Sequence, residues 1–274
     1  MLQLCRVHLS MSASQLAGRI ALVTGASSGI GWATAVEFCR AGASVAIVGR
    51  SRAALERLEA QCKEENANAG VLLCEADLRD NACVRDVIDR SASHFGGLDV
   101  LVNSAGVLIG GATQDTTMQT FDENFAINTR AVFAAMSAAI PHMQARGGGA
   151  ITNISSVNGV QSFPGTMAYC ASKAAVDQMT RCAAVDLAPL NIRCNAINPG
   201  VVVTELQKRG GMTDEAYETF LERCKETHPL YGARPICLPE DVARTVAFMS
   251  SDAARCMTGA CIVVDGGRAC NGAR

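Results

Sequence analysis

The chain has no run of about 18 apolar residues, so nothing in it reads as a membrane span. It has no Lys/Arg cluster, and its 24 basic against 26 acidic residues leave a net charge of −2, which argues against nucleic acid or an anionic membrane surface as the principal partner. Its 13 cysteines contain no Cys-x-x-Cys, and its four histidines, His8, His94, His142 and His228, lie at no ligand spacing from a cysteine pair, so no metal is expected. The cysteines read instead as small buried apolar residues in a reducing compartment. Only 18% of the residues are charged, and no repeat, low-complexity tract or Pro/Gly/Ser linker divides the chain. Acidic residues are absent before Glu37. The head, residues 1–18, therefore bears a faint likeness to a mitochondrial presequence but is read as an unstructured extension, with Met11 as an alternative start.

What is present is a chain of 274 residues, 49% hydrophobic and with 25 glycines, enough for a large buried core. From Arg19 short β-branched runs alternate with longer helical ones, the pattern of a parallel sheet covered by helices on both faces. Strands are predicted at Ile20 to Thr24, Ser44 to Val48, Gly70 to Glu75, Val100 to Asn103, Ala150 to Ile154, Ile192 to Ile197 and Cys261 to Val264. Helices are predicted near 29–41, 51–65, 80–95, 117–145, 166–187 and 239–251. Residues 19–274 thus form one expected domain, in which the irregular stretch 201–238, with a helix-like piece at about 213–226, has the position of a substrate lid.

Directly after the first strand comes Thr24-Gly25-Ala26-Ser27-Ser28-Gly29-Ile30-Gly31, opening a helix. Glycines let a backbone turn tightly against a pyrophosphate, and a helix N-terminus offers free N–H groups and a positive dipole end. The same letters also satisfy Gly-x-Ser-x-Gly, the nucleophile elbow of serine hydrolases, with Ser27 as nucleophile and His228 as the late histidine. After the second strand, where an NAD binder carries an acid for the ribose 2'-hydroxyl, stands Arg50, followed by Ser51 and Arg52. A cation there suits a 2'-phosphate, so NADP(H) is expected over NAD(H), with Arg50 as the clamp and Arg52 in support.

Tyr169 and Lys173 lie four apart at the head of an Ala-rich helical segment, which puts both side chains on one face. Half-ionising a tyrosine near neutral pH takes about three pKa units, roughly 4 kcal/mol. One cation about 4 Å away at an effective dielectric of about 20 supplies that much, so the pair predicts a lowered tyrosine pKa and a proton donor. An ordinary surface contact between the two is the alternative.

Together these motifs resemble the short-chain dehydrogenase/reductase family, in its ketoacyl-reductase-like members of roughly 250 residues. The likeness runs from about Arg19 to Gly267 and rests on Thr24 to Gly31, Asp77-Leu78, Asn103-Ser104-Ala105-Gly106, Asn128, Ser156, Tyr169 with Lys173, Asn198-Pro199-Gly200 through Thr204, and Asp265-Gly266-Gly267. The resemblance implies a single doubly wound, Rossmann-like α/β domain with a seven-stranded parallel sheet. It implies that Tyr169 is the acid/base, that Lys173 lowers its pKa and bonds the nicotinamide ribose, that Ser156 polarises the carbonyl, and that Asn128 holds a relay water. It also implies that Gly25, Ser27, Ser28, Gly29, Ile30, Gly31, Asn103, Ala105, Gly106, Pro199 and Gly200 run along the cofactor, that Asp77 and Leu78 meet the adenine, and that Val202 and Thr204 meet the carboxamide. Two departures stand out: Ser104 replaces the family's second asparagine, and His228 to Pro235 depart from its usual Pro-Leu-Gly-Arg.

The substrate side, by the same resemblance, comprises Val107 to Ile109, Asn158, Val160, Phe163, Met167, Leu206 and the stretch around Met212 to Phe220, mostly apolar. That suits a medium-sized hydrophobic ketone or ketoacyl substrate, or the corresponding secondary alcohol. A cytoplasmic homodimer or homotetramer is expected, the long Ala-rich helices packing against copies of themselves. A noncatalytic dinucleotide-binding scaffold and the Ser27 hydrolase remain as alternative functions.

Overall fold

A computed structural model describes residues 15–232 and 236–270. Seven parallel strands form one sheet: β1 (Ile20–Thr24), β2 (Ser44–Gly49), β3 (Val71–Glu75), β4 (Val100–Asn103), β5 (Gly149–Ile154), β6 (Ile192–Pro199) and β7 (Cys261–Val264), in spatial order β3-β2-β1-β4-β5-β6-β7. The helices are α1 (Gly29–Arg40), α2 (Arg52–Glu65), α3 (Asn81–Phe95), α4 (Met118–Phe125), α5 (Ala131–Ala145), α6 (Met167–Leu187), α7 (Leu206–Arg209), α8 (Asp214–Thr227) and α9 (Pro239–Ser250). The fold is the doubly wound parallel sheet with helices on both faces.

The central strands are apolar on both sides because each face is covered. Ala21 and Val23 of β1 join a core with α1, α2 and α9, while Ile20 and Leu22 join the opposite core with α3, α5 and α6. Local chemistry starts and stops the helices: Ser51 and Asp80 accept from Ala54 N and Ala82 N at the starts of α2 and α3, and Gly96, at φ 83°, ends α3 in the left-handed conformation.

Strand ends agree with expectation to within two residues, and two features differ. The helix expected at 117–145 is α4 and α5 joined through a π-helical turn, Ala126–Arg130, that contains the fully buried Asn128. Residues 15–18, assigned to the extension, form a turn that belongs to the body: Leu16 is fully buried in the α1 core and its N–H donates to Ala41 O at 3.1 Å. Residues 1–14, with the suggested presequence, lie outside the described residues, as do Ala233 to Pro235.

The chain order reverses between β1 and β4, and their carboxyl ends lie level, Thr24 being paired with Asn103. The first strand feeds one way to β2 and β3, the fourth the other way to β5, β6 and β7, so the loops after β1 and β4 part and leave a crevice.

Candidate active site

The crevice is lined by segments that begin where strands stop: Gly25 to Ile30 after β1, Gly49 to Ser51 at the end of β2, Ala76 to Leu78 after β3, Ser104 to Val107 after β4, Ser155 and Ser156 after β5, and Pro199 to Arg209 at the end of β6. Tyr169 and Lys173 of α6 close one wall. Of the sequence-predicted cofactor and catalytic residues, Gly31, Arg52, Asn103 and Asn128 are not in the lining.

The glycine turn is shaped for a close backbone approach. Gly25 has φ +68°, and a Cβ on it would stand 2.7 Å from the Ala105 backbone; one on Gly31 would stand 2.5 Å from Gly25 O. Gly31 therefore serves the turn from beneath. Thr24 Oγ1 accepts from Ser104 N and Ala105 N at 3.0 and 3.2 Å, tying this turn to the loop after β4. Asn103 is buried and its Nδ2 donates to Asn153 Oδ1 at 2.8 Å, so the β4–β5 tie survives the substitution at Ser104. Ser27 Oγ is buried without a hydrogen-bond partner. His228 lies in the lid with Nδ1 2.7 Å from Cys224 O, so the base that a hydrolase at Ser27 requires is engaged elsewhere. With glycines where a Cβ would fill the cradle, an unpartnered hydroxyl and a helix N-terminus at its end, the crevice fits a dinucleotide.

At the end of β2 and β3 the charges are arginine and a neutralised acid. Arg50 is exposed and makes no hydrogen bond or close ion pair among the described residues. Arg52 is bound to Glu56, one helical turn on, at 3.0 Å, and lies outside the lining. Asp77 is gripped by the Arg79 guanidinium, which with a smaller contribution from Arg50 holds its carboxyl down at about 2. Leu78 is buried under this end of the crevice.

The residues expected to be catalytic converge around the end of β5. Tyr169 and Lys173 are 5% and 4% exposed, so the pair is a buried one and the surface-contact alternative falls. Lys173 Nζ donates to Ile154 O at 2.8 Å and lies 5.8 Å from the centre of the Tyr169 ring. Ser156 lines the same wall as Tyr169, and its Oγ accepts from Asn158 N at 3.1 Å. Ser155 turns away and donates to Lys173 O at 3.2 Å. The expected lowering of the tyrosine pKa is not what this environment produces. Burial pushes Tyr169 up to about 12, with Ser156 pulling the other way, and burial pushes Lys173 down to about 8. Taking a phenolate and an ammonium out of water costs more than their separation here returns.

Asn128 stands behind the wall. Its Oδ1 accepts from Val107 N at 2.9 Å, and its Nδ2 donates to Val107 O and Ser172 Oγ at 2.9 and 3.0 Å. A Cβ on Gly106 would stand 3.4 Å from Asn128 Oδ1 and 3.6 Å from Lys173 Nζ, so both polar groups converge on that glycine. The amide is thereby fixed to the Val107 backbone and to Ser172.

The lid contributes residues that no motif had flagged. Arg209, at the end of α7, donates to Ser28 Oγ at 3.1 Å, and Glu205 and Gln207 also line the crevice. Thr204 lies over Gly29, where a Cβ would stand 3.1 Å from its Cγ2. Val202 is buried and bridges to Cys237. Tyr217 and Phe220, assigned to the substrate side, instead fasten the lid: Tyr217 Oη donates to Thr204 O at 3.1 Å, and Phe220 packs on Val201, Cys224 and Ile236. Among the described residues no group of side chains could hold a metal, and no helix is long and apolar enough to cross a membrane.

Comparison with known proteins agrees with this geometry. Residues 25–269 match the protein family described as enoyl-(acyl carrier protein) reductase. The chain is 37% identical over 251 residues to 2-(R)-hydroxypropyl-CoM dehydrogenase of Xanthobacter autotrophicus, covering 90% of this chain and 97% of that protein. It is 34% identical over 256 residues to the 3-oxoacyl-[acyl-carrier-protein] reductase of Thermotoga maritima, covering 92% and 98%. The crystal structure of levodione reductase superposes with a TM-score of 0.88 at 30% identity, covering 93% of this chain and 99% of that one. With its crevice, its glycine turn and its Ser156, Tyr169, Lys173 wall, the chain belongs to the short-chain dehydrogenase/reductase family, oxidoreductases that use nicotinamide dinucleotides, in its ketoacyl-reductase-like branch.

Proposed function

We propose that the chain is an NADP(H)-dependent reductase of a medium-sized apolar ketone or ketoacyl substrate, or the dehydrogenase of the matching secondary alcohol. The observation that carries this reading is the buried Tyr169 hydroxyl, held neutral beside Ser156 and one helical turn from Lys173, in the same crevice wall that faces the glycine turn. The dinucleotide would supply or accept the hydride. Gly25, Ser27, Ser28, Gly29 and Ile30 would cradle its phosphates, with Gly31 supporting the turn; Ala105, Gly106, Pro199, Gly200, Val202 and Thr204 line its path, Asn103 ties the strands beneath it, and Lys173 is its ribose contact. Asp77 and Leu78 bound the adenine end.

As carbonyl oxygen gains negative charge, the Ser156 hydroxyl donates to it and orients it, and Tyr169 gives up its proton. A phenol titrating near 12 still holds that proton at neutral pH, which favours the donor role. Lys173 stabilises the tyrosinate as it forms. Asn128 acts by fixing Val107 and the Lys173-bearing helix.

Arg50, exposed at the crevice and free of any close ion pair among the described residues, supports the 2'-phosphate preference. The apolar lining at Val107 and Leu206 supports the substrate class, as do relatives named as a 3-oxoacyl-[acyl-carrier-protein] reductase and a levodione reductase. A cytoplasmic location is the companion proposal, since every described cysteine is free. A noncatalytic scaffold would need the crevice but not the Ser156, Tyr169, Lys173 wall. Tyr169→Phe separates the two: it should lower NADPH oxidation with a panel of reactive ketones by about 100-fold or more, while NADPH binding by fluorescence stays within about twofold. Equal turnover in the variant would sink the reductase reading.

A further inference from the structure

Behind the catalytic wall lies a carboxylate that no motif includes. Asp177 is 1% exposed, on α6 one turn beyond Lys173. A carboxylate so deep is costly unless partnered. Its Oδ2 accepts from Asn198 Nδ2 at 2.9 Å, and the same Nδ2 donates to Ser156 O at 2.9 Å. One amide therefore joins the buried acid to the backbone of the candidate carbonyl-polarising serine. The turn Val157–Gly159 closes onto this acid: a Cβ on Gly159 would stand 2.5 Å from Asp177 Oδ2 and 3.2 Å from Lys173 O.

We propose that Asp177 is a positioning residue for Ser156 and Lys173, holding the Ser156 backbone through Asn198 and serving as the buried countercharge of the Lys173 ammonium. The groups around the two side chains leave it that role. On α6, Tyr169 is neutral, and Arg181, one turn past Asp177, is exposed and shared between Gln178 Oε1 and Cys261 Sγ. From β5 the Ile154 carbonyl accepts from Nζ, the Asn128 amide of the π-helical turn converges with Nζ on Gly106, and Gly159 of the Val157–Gly159 turn closes on Asp177 Oδ2. β6 contributes Asn198, and β7 contributes Cys261, whose thiol is raised by burial and by the neighbouring Asp177 charge. Burial pushes the Lys173 ammonium toward deprotonation, and Asp177 is the charge that opposes this. The sign follows: with the countercharge gone, Lys173 loses its proton at lower pH.

The catalytic half of this inference rests on the reductase reading, but the ionisation of Lys173 can be read without turnover. The full-length protein and its Asp177→Asn and Asp177→Ala variants would be labelled with acetic anhydride across pH 6–10, the modification of Lys173 being followed by mass spectrometry against a free amine standard. In parallel, kcat and KM for a reactive ketone would be measured across the same range. Asp177→Asn keeps an acceptor for Asn198 and removes the charge. It should raise Lys173 labelling at pH 7 about fivefold, as a one-unit fall in pKa would, and shift the alkaline limb of kcat/KM toward acid, with KM for NADPH unchanged. Asp177→Ala should add a fall in kcat, because Ser156 loses its tie. A Lys173 labelling profile unchanged in Asp177→Asn overturns the proposal. If that variant does not fold, Asn198→Ala carries the test, since it keeps the charge and cuts the tie: kcat should fall with Lys173 labelling as in the native protein, and an unchanged kcat overturns the positioning role. A native protein that reduces no ketone refutes the reductase reading and leaves the labelling result to decide the countercharge.

Discussion

Arg50 and Arg52 are two residues apart in the chain, and folding gives them different work. Arg52 opens α2 and is neutralised by Glu56 one turn along, a surface pair worth only about 0.3–0.5 kcal/mol. Arg50 ends at the crevice without such a partner. If Arg50 meets a 2'-phosphate, Arg50→Asp should lose a charge-assisted contact of about 1.5–3 kcal/mol, moving the NADPH over NADH preference toward NADH by roughly tenfold to a hundredfold. Paired kcat/KM measurements with both cofactors read this, and an unmoved ratio would take Arg50 out of the role. Tyr169 and Lys173 make the complementary point. Spacing was enough to put them side by side, but spacing carries no depth, and depth reverses the expected pKa shift from downward to upward at the tyrosine.

At the scale of elements, the site is assembled from the carboxyl ends of six neighbouring strands, β1 to β6, which is why its residues are scattered from Gly25 to Arg209. Each fragment was legible because it follows a β-branched run, a local signal. The lid was legible as an irregular stretch with one helical piece near 213–226, which is α8, while α7 was not. Its helices α7 and α8 are held by contacts no periodicity encodes: Arg209 to Ser28, Lys208 to Asp214 at 2.6 Å, and Tyr217 to the Thr204 carbonyl. Thr204 in turn lies over Gly29, so fastening the lid also fixes one side of the glycine turn. Tyr217→Phe removes one neutral hydrogen bond while keeping the buried ring, and should cost about 1 kcal/mol locally. Hydrogen exchange at residues 204–220 should quicken about fivefold with β1 to β6 unaffected; exchange identical to the native protein would mean that ring packing alone holds the lid.

For the molecule as a whole, two helical layers bury the sheet, yet α4, α5 and α6 leave Met118, Phe133 and Val185 at 72%, 59% and 75% exposure. Apolar side chains so open on the long Ala-rich helices are consistent with self-association. Sedimentation should give a dimer or tetramer, and Phe133→Glu combined with Val185→Glu should drive it to a smaller species with the melting temperature nearly unchanged. A native monomer at micromolar concentration would refute the expected oligomer.

The parallel sheet with helices on both faces, the glycine turn at the end of the first strand and the Tyr169 to Lys173 pairing followed from chain order, because alternation of strand and helix, turn glycines and helical spacing are local properties written within a few residues, whereas Ser156 was singled out by family resemblance. What required the folded chain was everything set by burial and by approach of distant segments. Leu16 joins the core although the sequence around it resembles a tail, Asn128 is committed to Val107, Arg52 is drawn to Glu56 while Arg50 is left for the crevice, and Arg209 reaches Ser28 across 181 positions. The Tyr169 to Lys173 pair shows why the two kinds of information differ. A helix turn dictates which side chains are neighbours, whereas the free energy of their charges depends on how much water the rest of the protein has removed.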